Sequence, residues 1–370
     1  MEYLIHFFIF VNCIYILCVV LLIAGVRRVC SGVSPEQPSV SVIIAARNEQ
    51  TVISSILSAL KNQDYPEEMY EVIVADDRSA DGTFEVLKSF SEKWKRLRII
   101  RIDRIPEHVS PKKHALSEAI LQAQGDIILQ TDADCLVPRT WISGMVKKFE
   151  KDVGIVTGMA PYLKEPGLLN SFVRHEYLWN AVLSAGSIAL GRGTHASGRN
   201  LAFRRDAFEK CGGYGSMNRV LSGDDTLLLH RISRLPEYRV VTVPDKSTHV
   251  YTRAPKDWAT FLHQRIRHMS TGKYFDPSLI AVGFAVYGFH ILLITSLIFS
   301  FFSPPVFFVF AVLFLLKCAI DACAARSAKS TLGLDIRWKP FFINELFITV
   351  YMAVMPVLGL VIPVKWKENT

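Results

Sequence analysis

The chain has 370 residues, 42 Lys+Arg against 34 Asp+Glu and a formal net charge of +8. Half of its residues are hydrophobic and 21% are charged, and the mean hydropathy of +0.26 leans only slightly toward a membrane protein. The apolar residues are concentrated in a few long runs, a pattern that excludes a disordered chain, a secreted disulfide scaffold and a purely soluble enzyme.

In chain order, Tyr3 to Val26 carries no Asp, Glu, Lys or Arg. Crossing the hydrocarbon core takes about 20 apolar residues, so Leu4–Val26 predicts one span, closed by Arg27 and Arg28. No small-residue cleavage site follows, which favours an anchor over a signal peptide. Short β-branched runs then alternate with longer amphipathic ones. Val40–Ala46, Val72–Ala75, Leu97–Arg101 and Ile127–Thr131 read as strands; Gln50–Lys61, Gly82–Trp94 and Pro111–Gln124 read as helices. Such alternation predicts βαβ units and an α/β domain on a mainly parallel sheet with both faces covered.

Ligands of such sheets sit beyond the carboxyl ends of the strands. The polar residues found there are Arg47-Asn48-Glu49, then Asp76-Asp77-Arg78-Ser79-Ala80-Asp81-Gly82-Thr83, then Asp132-Ala133-Asp134-Cys135. Asn48 and Asp81 are placed to cap the helices that follow. Capping does not account for both Asp76 and Asp77, because one cap needs one carboxylate. The Asp132-x-Asp134 pair puts two hard oxygen donors within reach of one divalent cation, and Mg²⁺ or Mn²⁺ held this way is often shared with a substrate diphosphate. Further along, Ser197–Arg205 is a Gly-bearing polar turn that runs into a short apolar stretch. Ser222-Gly223-Asp224-Asp225 precedes a predicted helix, whose dipole favours carboxylates at its start and keeps Asp225 ionised, as suits a proton acceptor.

Lys256–Lys273 is amphipathic and contains Gln264-Arg265-Ile266-Arg267-His268, which reads either as an interfacial helix or as a cationic clamp on phosphate. Pro277–Leu316 is again free of acidic and basic residues, and Ser303-Pro304-Pro305 divides it into two spans. Phe341–Val364 is a fourth candidate, weakened by Asn344, Glu345 and Pro356. Basic residues flank these spans at Arg27, Arg28, Arg265, Arg267, Lys273, Arg326, Lys329, Arg337 and Lys339, which predicts a cytoplasmic middle domain. The side on which Lys365 and Lys367 lie depends on whether the fourth segment crosses. The seven cysteines show no Cys-x-x-Cys pair and read as small apolar residues in a reducing compartment.

Taken together, these residues resemble the family 2 glycosyltransferases, inverting nucleotide-sugar-dependent enzymes with a GT-A fold, over about Ser39 to Lys273. Ser41–Glu49 looks like that family's opening strand. Asp76–Thr83 is similar to its Asp-Asp-Gly-Ser-x-Asp-Gly-Thr nucleoside loop, with Arg78 in place of Gly. Pro111-Lys112 and Ala115-Leu116 resemble its Gly-Lys-x-x-Ala-Leu segment near the diphosphate. Asp132-Ala133-Asp134 matches its metal motif, Asn200–Arg205 its acceptor-side segment, and Gly223-Asp224-Asp225 its Gly-Glu-Asp motif, whose last carboxylate is the base. Gln264–His268 resembles Gln-x-x-Arg-Trp, with His268 where Trp is usual.

The resemblance implies a GT-A domain over 38–254 between an anchor at 1–28 and an interfacial segment at 255–276, with two or three further spans in 277–370. It implies Asp225 as catalytic base and Asp132 and Asp134 as ligands of Mg²⁺ or Mn²⁺. Substrate contacts are expected from Arg47, Glu49, Asp76, Asp77, Lys112, Asp132, Asn200, Asp224, Gln264, Arg265 and Arg267. His268 and the small number of spans favour transfer of one sugar from a UDP- or GDP-linked donor to a lipid acceptor, as in bacterial lipid and carotenoid glycosyltransferases, at the inner membrane with the domain cytoplasmic. A processive polysaccharide synthase is the alternative within the family. A nucleotidyltransferase would carry a Gly- and Arg/Lys-rich loop where Ala45–Glu49 stands, and a non-catalytic membrane protein would not need the ordered carboxylates. No nucleic-acid partner is expected.

Overall fold

The computed structural model describes residues 2–29, 32–220, 222–269, 271–275 and 277–362. Cys30, Lys365, Lys367 and the Lys273 side chain lie outside what is described. The chain divides into two compact units. One comprises Met1–Arg28, Lys164–Ser187 and Ala254–Thr370; the other comprises Val29–Leu163 and Ile188–Arg253.

The second unit is built on a seven-stranded sheet in the order β3-β2-β1-β4-β6-β5-β7. Its strands are β1 (Val40–Ala46), β2 (Tyr70–Asp77), β3 (Leu97–Ile102), β4 (Ile127–Asp132), β5 (Val153–Gly158), β6 (Leu201–Arg204) and β7 (Arg239–Val243). β1 to β4 pair in parallel, as the alternating pattern predicts, whereas β6 runs antiparallel to both β4 and β5. This mostly parallel mixed sheet is the GT-A arrangement.

Two helical faces enclose it. On α2 (Ile53–Lys61), Ile53, Ile56, Leu57 and Leu60 recur at helical spacing and pack into one core with Val42, Ile44, Val72, Val74 and Leu129. The next helices are α3 (Thr83–Ser91) and α4 (Pro111–Leu121). α4 lies against β1 and β2, with Ala115, Leu116, Ala119 and Ile120 buried. Each fully buried Leu, Ile or Val contributes about 1.5–3 kcal/mol over an exposed one. Helices α5 (Trp141–Val146), α6 (Leu168–Ala189), α7 (Arg205–Lys210) and α8 (Thr226–Ile232) follow.

The first unit contains α1 (Glu2–Arg27), most of α6, α9 (Trp258–Met269), α10 (Pro277–Ser300), α11 (Pro304–Leu332) and α12 (Phe341–Val361). Helices α1, α10, α11 and α12 are long and apolar enough to cross a membrane, and Pro304 at the start of α11 makes the expected break. α12 is therefore as long as a span in spite of Glu345. α1 and α6 approach closely: a Cβ on Gly25 would fall 2.2 Å from the Gly186 carbonyl oxygen, so only a glycine fits at that contact. α11 ends at Gly333 with φ 65°, a left-handed cap that glycine adopts without strain.

Glu345 has partners inside this unit. It pairs with Lys317 and lies 2.9 Å from His175 Nε2; Lys317 also donates to Asp321 at 2.7 Å, and Tyr15 donates to Asp321 at 2.9 Å. All five side chains are buried, so the charged residues that interrupt the apolar runs join α1, α6, α11 and α12 through one polar cluster.

Candidate active site

The site is assembled on one edge of the sheet in the second unit. Register pairs Ala46 with Asp76 and Ala45 with Asp132, so the carboxyl ends of β1, β2 and β4 finish together. Because β6 is antiparallel, Leu201 at its start pairs with Gln130, and the turn Ser197–Asn200 arrives at that same edge. A parallel β6 would have put this turn at the opposite end.

Asp76 and Asp77 are buried at the end of β2. Asp76 Oδ1 accepts from the Ser79 N–H at 3.4 Å, and Asp77 Oδ1 accepts from Arg78 Nε at 2.9 Å. Arg78 has φ 54°, the left-handed backbone that suits the Gly expected there, and its guanidinium pairs with Asp77. Asp81 accepts from the Thr83 N–H at 3.0 Å just before α3, whose N-cap position is Gly82 rather than the Asp81 the sequence suggests. Asn48 does not cap α2. Its Oδ1 accepts from the Ala80 N–H at 2.8 Å and its own N–H donates to Ser79 Oγ, so it braces the 77–83 loop instead. Arg47 and Glu49 are half-buried beside this loop, with the Glu49 N–H donating to Thr83 Oγ1 at 2.8 Å.

At the end of β4, ligand atoms of Asp132, Asp134 and Cys135 all lie within 4.8 Å of one another. Asp134 is exposed, yet partial desolvation and then the Asp132 charge raise its carboxyl above its usual range, against the pull of Arg199. This crowding of carboxylates is relieved by a divalent cation, so the two aspartates fit Mg²⁺ or Mn²⁺. Burial, then Asp132 and Asp134, push the Cys135 thiol up and keep it protonated, which leaves the carboxylates as the donor set.

Lys112, in the first turn of α4, donates to Asp132 Oδ1 at 2.9 Å and lies 3.3 Å from Asp224 Oδ2. Burial opposes its charge, but Asp132 and Asp224 outweigh burial and hold the ammonium well above the ordinary lysine range. Asp224 is buried. Burial would raise its carboxyl, yet Lys112 and then Lys113 hold it below the usual range, and Gln130 Nε2 donates to it at 3.0 Å. Asp225 is half-buried, and each of its oxygens accepts one backbone N–H: Thr226 at 2.6 Å and Gly198 at 2.8 Å. Burial and then the Asp224 charge raise its carboxyl, with His195 pulling the other way. The two neighbouring carboxylates are thus driven apart in acidity, which suits one for ion pairing and the other for taking a proton.

Asn200 does not offer its side chain to a substrate. It is fully buried, its Oδ1 accepts from Trp141 Nε1 at 2.9 Å, and its two amide hydrogens go to the Met159 and Thr248 carbonyls at 2.8 and 2.9 Å. With both hydrogens committed, Asn200 ties β6 to α5 and the 248 turn. Gln264, Arg265 and Arg267 lie on α9 in the other unit. There Arg265 is buried and ion-paired with Glu176 at 2.6 Å, Arg267 and Gln264 are half-buried, and His268 is exposed.

Lys113 and Gln130 belong to no motif read from the sequence, and Gly198 is the glycine of the Ser197–Arg205 turn. Lys113 is buried and donates to the Met217, Val220 and Ser222 carbonyls at 3.0, 2.7 and 2.9 Å, fixing the segment that leads into Asp224. Gln130 bridges Tyr214 and Asp224, and its signal is a polar side chain within an apolar strand. Gly198 sits so close to the carboxylates that a Cβ would meet Gln130 Nε2 at 2.9 Å and Asp224 Oδ2 at 3.2 Å.

The glycosyl transferase family 2 model matches residues 41–212, and the glycosyl transferase family group 2 model matches residues 127–356, more than half of the chain. The chain belongs to the family 2 glycosyltransferases. It is 30% identical over 245 residues to the probable glycosyltransferase YdaM of Bacillus subtilis, covering 65% of this chain and 56% of that one. It is 29% identical over 195 residues to the beta-monoglucosyldiacylglycerol synthase of Trichormus variabilis, covering 52% and 41%. The chain thus spans about half the length of the curated relatives it matches. Among solved structures, a mannosyltransferase from Pyrobaculum calidifontis, determined with GDP-Man and Mn²⁺, shares the fold at a TM-score of 0.60 and 22% identity, with 96% of each chain covered.

Proposed function

We propose that this chain is an inverting glycosyltransferase that moves one sugar from a UDP- or GDP-linked donor to a hydroxyl of a membrane lipid. The observation that carries this reading is Lys112, one ammonium set between the carboxylates of a metal motif and those of a base motif. Asp76 and Asp77 hold the nucleoside by hydrogen bonds to base and ribose, with Arg47 and Glu49 beside them. Asp132 and Asp134 would hold a divalent cation, which when bound supplies positive charge to the leaving diphosphate. Lys112 adds charge at the same place, where negative charge grows in the transition state. Asp225, oriented by two backbone N–H groups and still offering free lone pairs, accepts the proton of the attacking hydroxyl. Attack from the face opposite the leaving diphosphate inverts the anomeric centre.

A lipid acceptor is supported by the four apolar helices and by a relative named for diacylglycerol glycosylation. Basic residues such as Arg27, Arg28, Arg326 and Arg337 at the span ends support a cytoplasmic catalytic domain at the inner membrane. The test is to incubate membranes containing the protein with labelled UDP- and GDP-sugars. The expected product is a solvent-extractable lipid bearing one labelled sugar; a long polysaccharide, or no labelled lipid from any donor, contradicts the proposal.

A further inference from the structure

We propose that Lys112 is the counter-ion the metal motif carries before a donor arrives, and that a cation binding at Asp132 and Asp134 passes its ammonium to Asp224. The inference rests on the assignment of Asp132 and Asp134 as metal ligands. Its basis is geometric. Lys112 Nζ is 2.9 Å from Asp132 Oδ1, a carboxylate a divalent cation would also use, and 3.3 Å from Asp224 Oδ2. An ammonium and a divalent cation repel one another, and both compete for the lone pairs of Asp132. Asp224 is already within reach, so the exchange needs a change in side-chain torsions and no backbone movement.

The surroundings hold everything but that side chain. Pro111 at the start of α4 restricts the backbone beside Lys112. Lys113 is anchored on the other side by three carbonyls of the 217–222 segment. Asp224 is held by Gln130, which Tyr214 holds in turn at 3.2 Å. Lys112 is itself only half-buried and can move. A lysine in the first turn of a helix sits at the unfavourable positive end of the dipole, so its position is accounted for by the anions it serves. The consequence is coupling: cation binding at the donor side tightens the existing Lys112–Asp224 pair, next to Asp225 in the chain.

The test measures Mn²⁺ binding to the full chain in detergent without nucleotide, by the loss of the free-ion paramagnetic resonance signal. Lys112→Gln is expected to bind Mn²⁺ about tenfold more tightly than the unaltered protein, the weight of one charge-assisted hydrogen bond, while Lys112→Arg keeps the original affinity. A second measurement needs no variant: Mn²⁺ alone is expected to slow acetylation of Lys112, read by mass spectrometry, as its ammonium passes from the half-exposed Asp132 to the more buried Asp224, and to leave Lys113 unchanged. Equal Mn²⁺ affinity in Lys112→Gln and the unaltered protein, or a Lys112 acetylation rate that ignores Mn²⁺, overturns the inference. Asp134→Asn separates the two levels. Abolished Mn²⁺ binding there supports the metal assignment whatever Lys112 does, and undiminished binding overturns both.

Discussion

Gly198 gives its backbone N–H to Asp225 Oδ2 at 2.8 Å, while its α-carbon faces Gln130 and Asp224 with no room for a methyl group. The turn before β6 and the start of α8 are therefore joined at the group proposed to take the acceptor's proton. Gly198→Ala is expected to push these carboxylates apart. The overpacking costs about 1–3 kcal/mol of stability, and transfer falls by at least about tenfold, as a misplaced catalytic group implies. Donor binding should change little. Melting curves, donor binding and initial rates on the purified variant check this.

The pH dependence follows from the opposed acidities of Asp224 and Asp225. The Asp225 carboxyl is raised by burial and by Asp224, so the base is lost on acidification at a pH above the ordinary carboxylate range. For stability the sign runs the other way: a raised carboxyl binds its proton more readily folded than unfolded, so its contribution is greatest in acid and is lost as pH rises through the folded value. Asp224→Asn removes the charge that raises Asp225. The acid limb of the rate profile is expected to move to lower pH in that variant, and a profile unmoved in position contradicts the coupling.

The buried cluster of Tyr15, His175, Lys317, Asp321 and Glu345 makes a prediction about folding. Lys317→Met leaves two carboxylates buried without their ammonium, and breaking a buried pair in this way costs about 3–5 kcal/mol. The triple variant Lys317→Met, Asp321→Asn, Glu345→Gln removes the charges together and is expected to recover most of that loss. Thermal unfolding in detergent should rank the single variant below the triple one.

These relationships were unequally legible in the sequence. β1 spans the residues its apolar run predicts, and the carboxylates that close β2 and β4 stand out because each strand carries a run of buried apolar residues, Val72–Ala75 and Ile127–Leu129, shortly before them. β5 and β7 are harder to read: Gly154 interrupts one, and the other is short and opens on an arginine. The antiparallel direction of β6 has no local signal, since direction is set by the partners it joins. Polar turn residues look alike whether they face a ligand or the backbone, which is why Asn48 and Asn200 carried expectations that their hydrogen bonds do not meet. Glu345 weakened the fourth span in the sequence because its partners, Lys317 and His175, are distant along the chain.

Asp225→Asn gives the most direct measurement of the proposed chemistry, because it removes the base while keeping a side chain of nearly the same shape. Transfer to lipid should fall by about 10²-fold or more, the scale of a lost general base, while nucleotide-sugar binding, measured separately, stays within about twofold, since a change under 0.5 kcal/mol is ordinary away from the contact removed. Transfer at the unaltered rate by a folded Asp225→Asn protein would contradict the assignment on which this account rests.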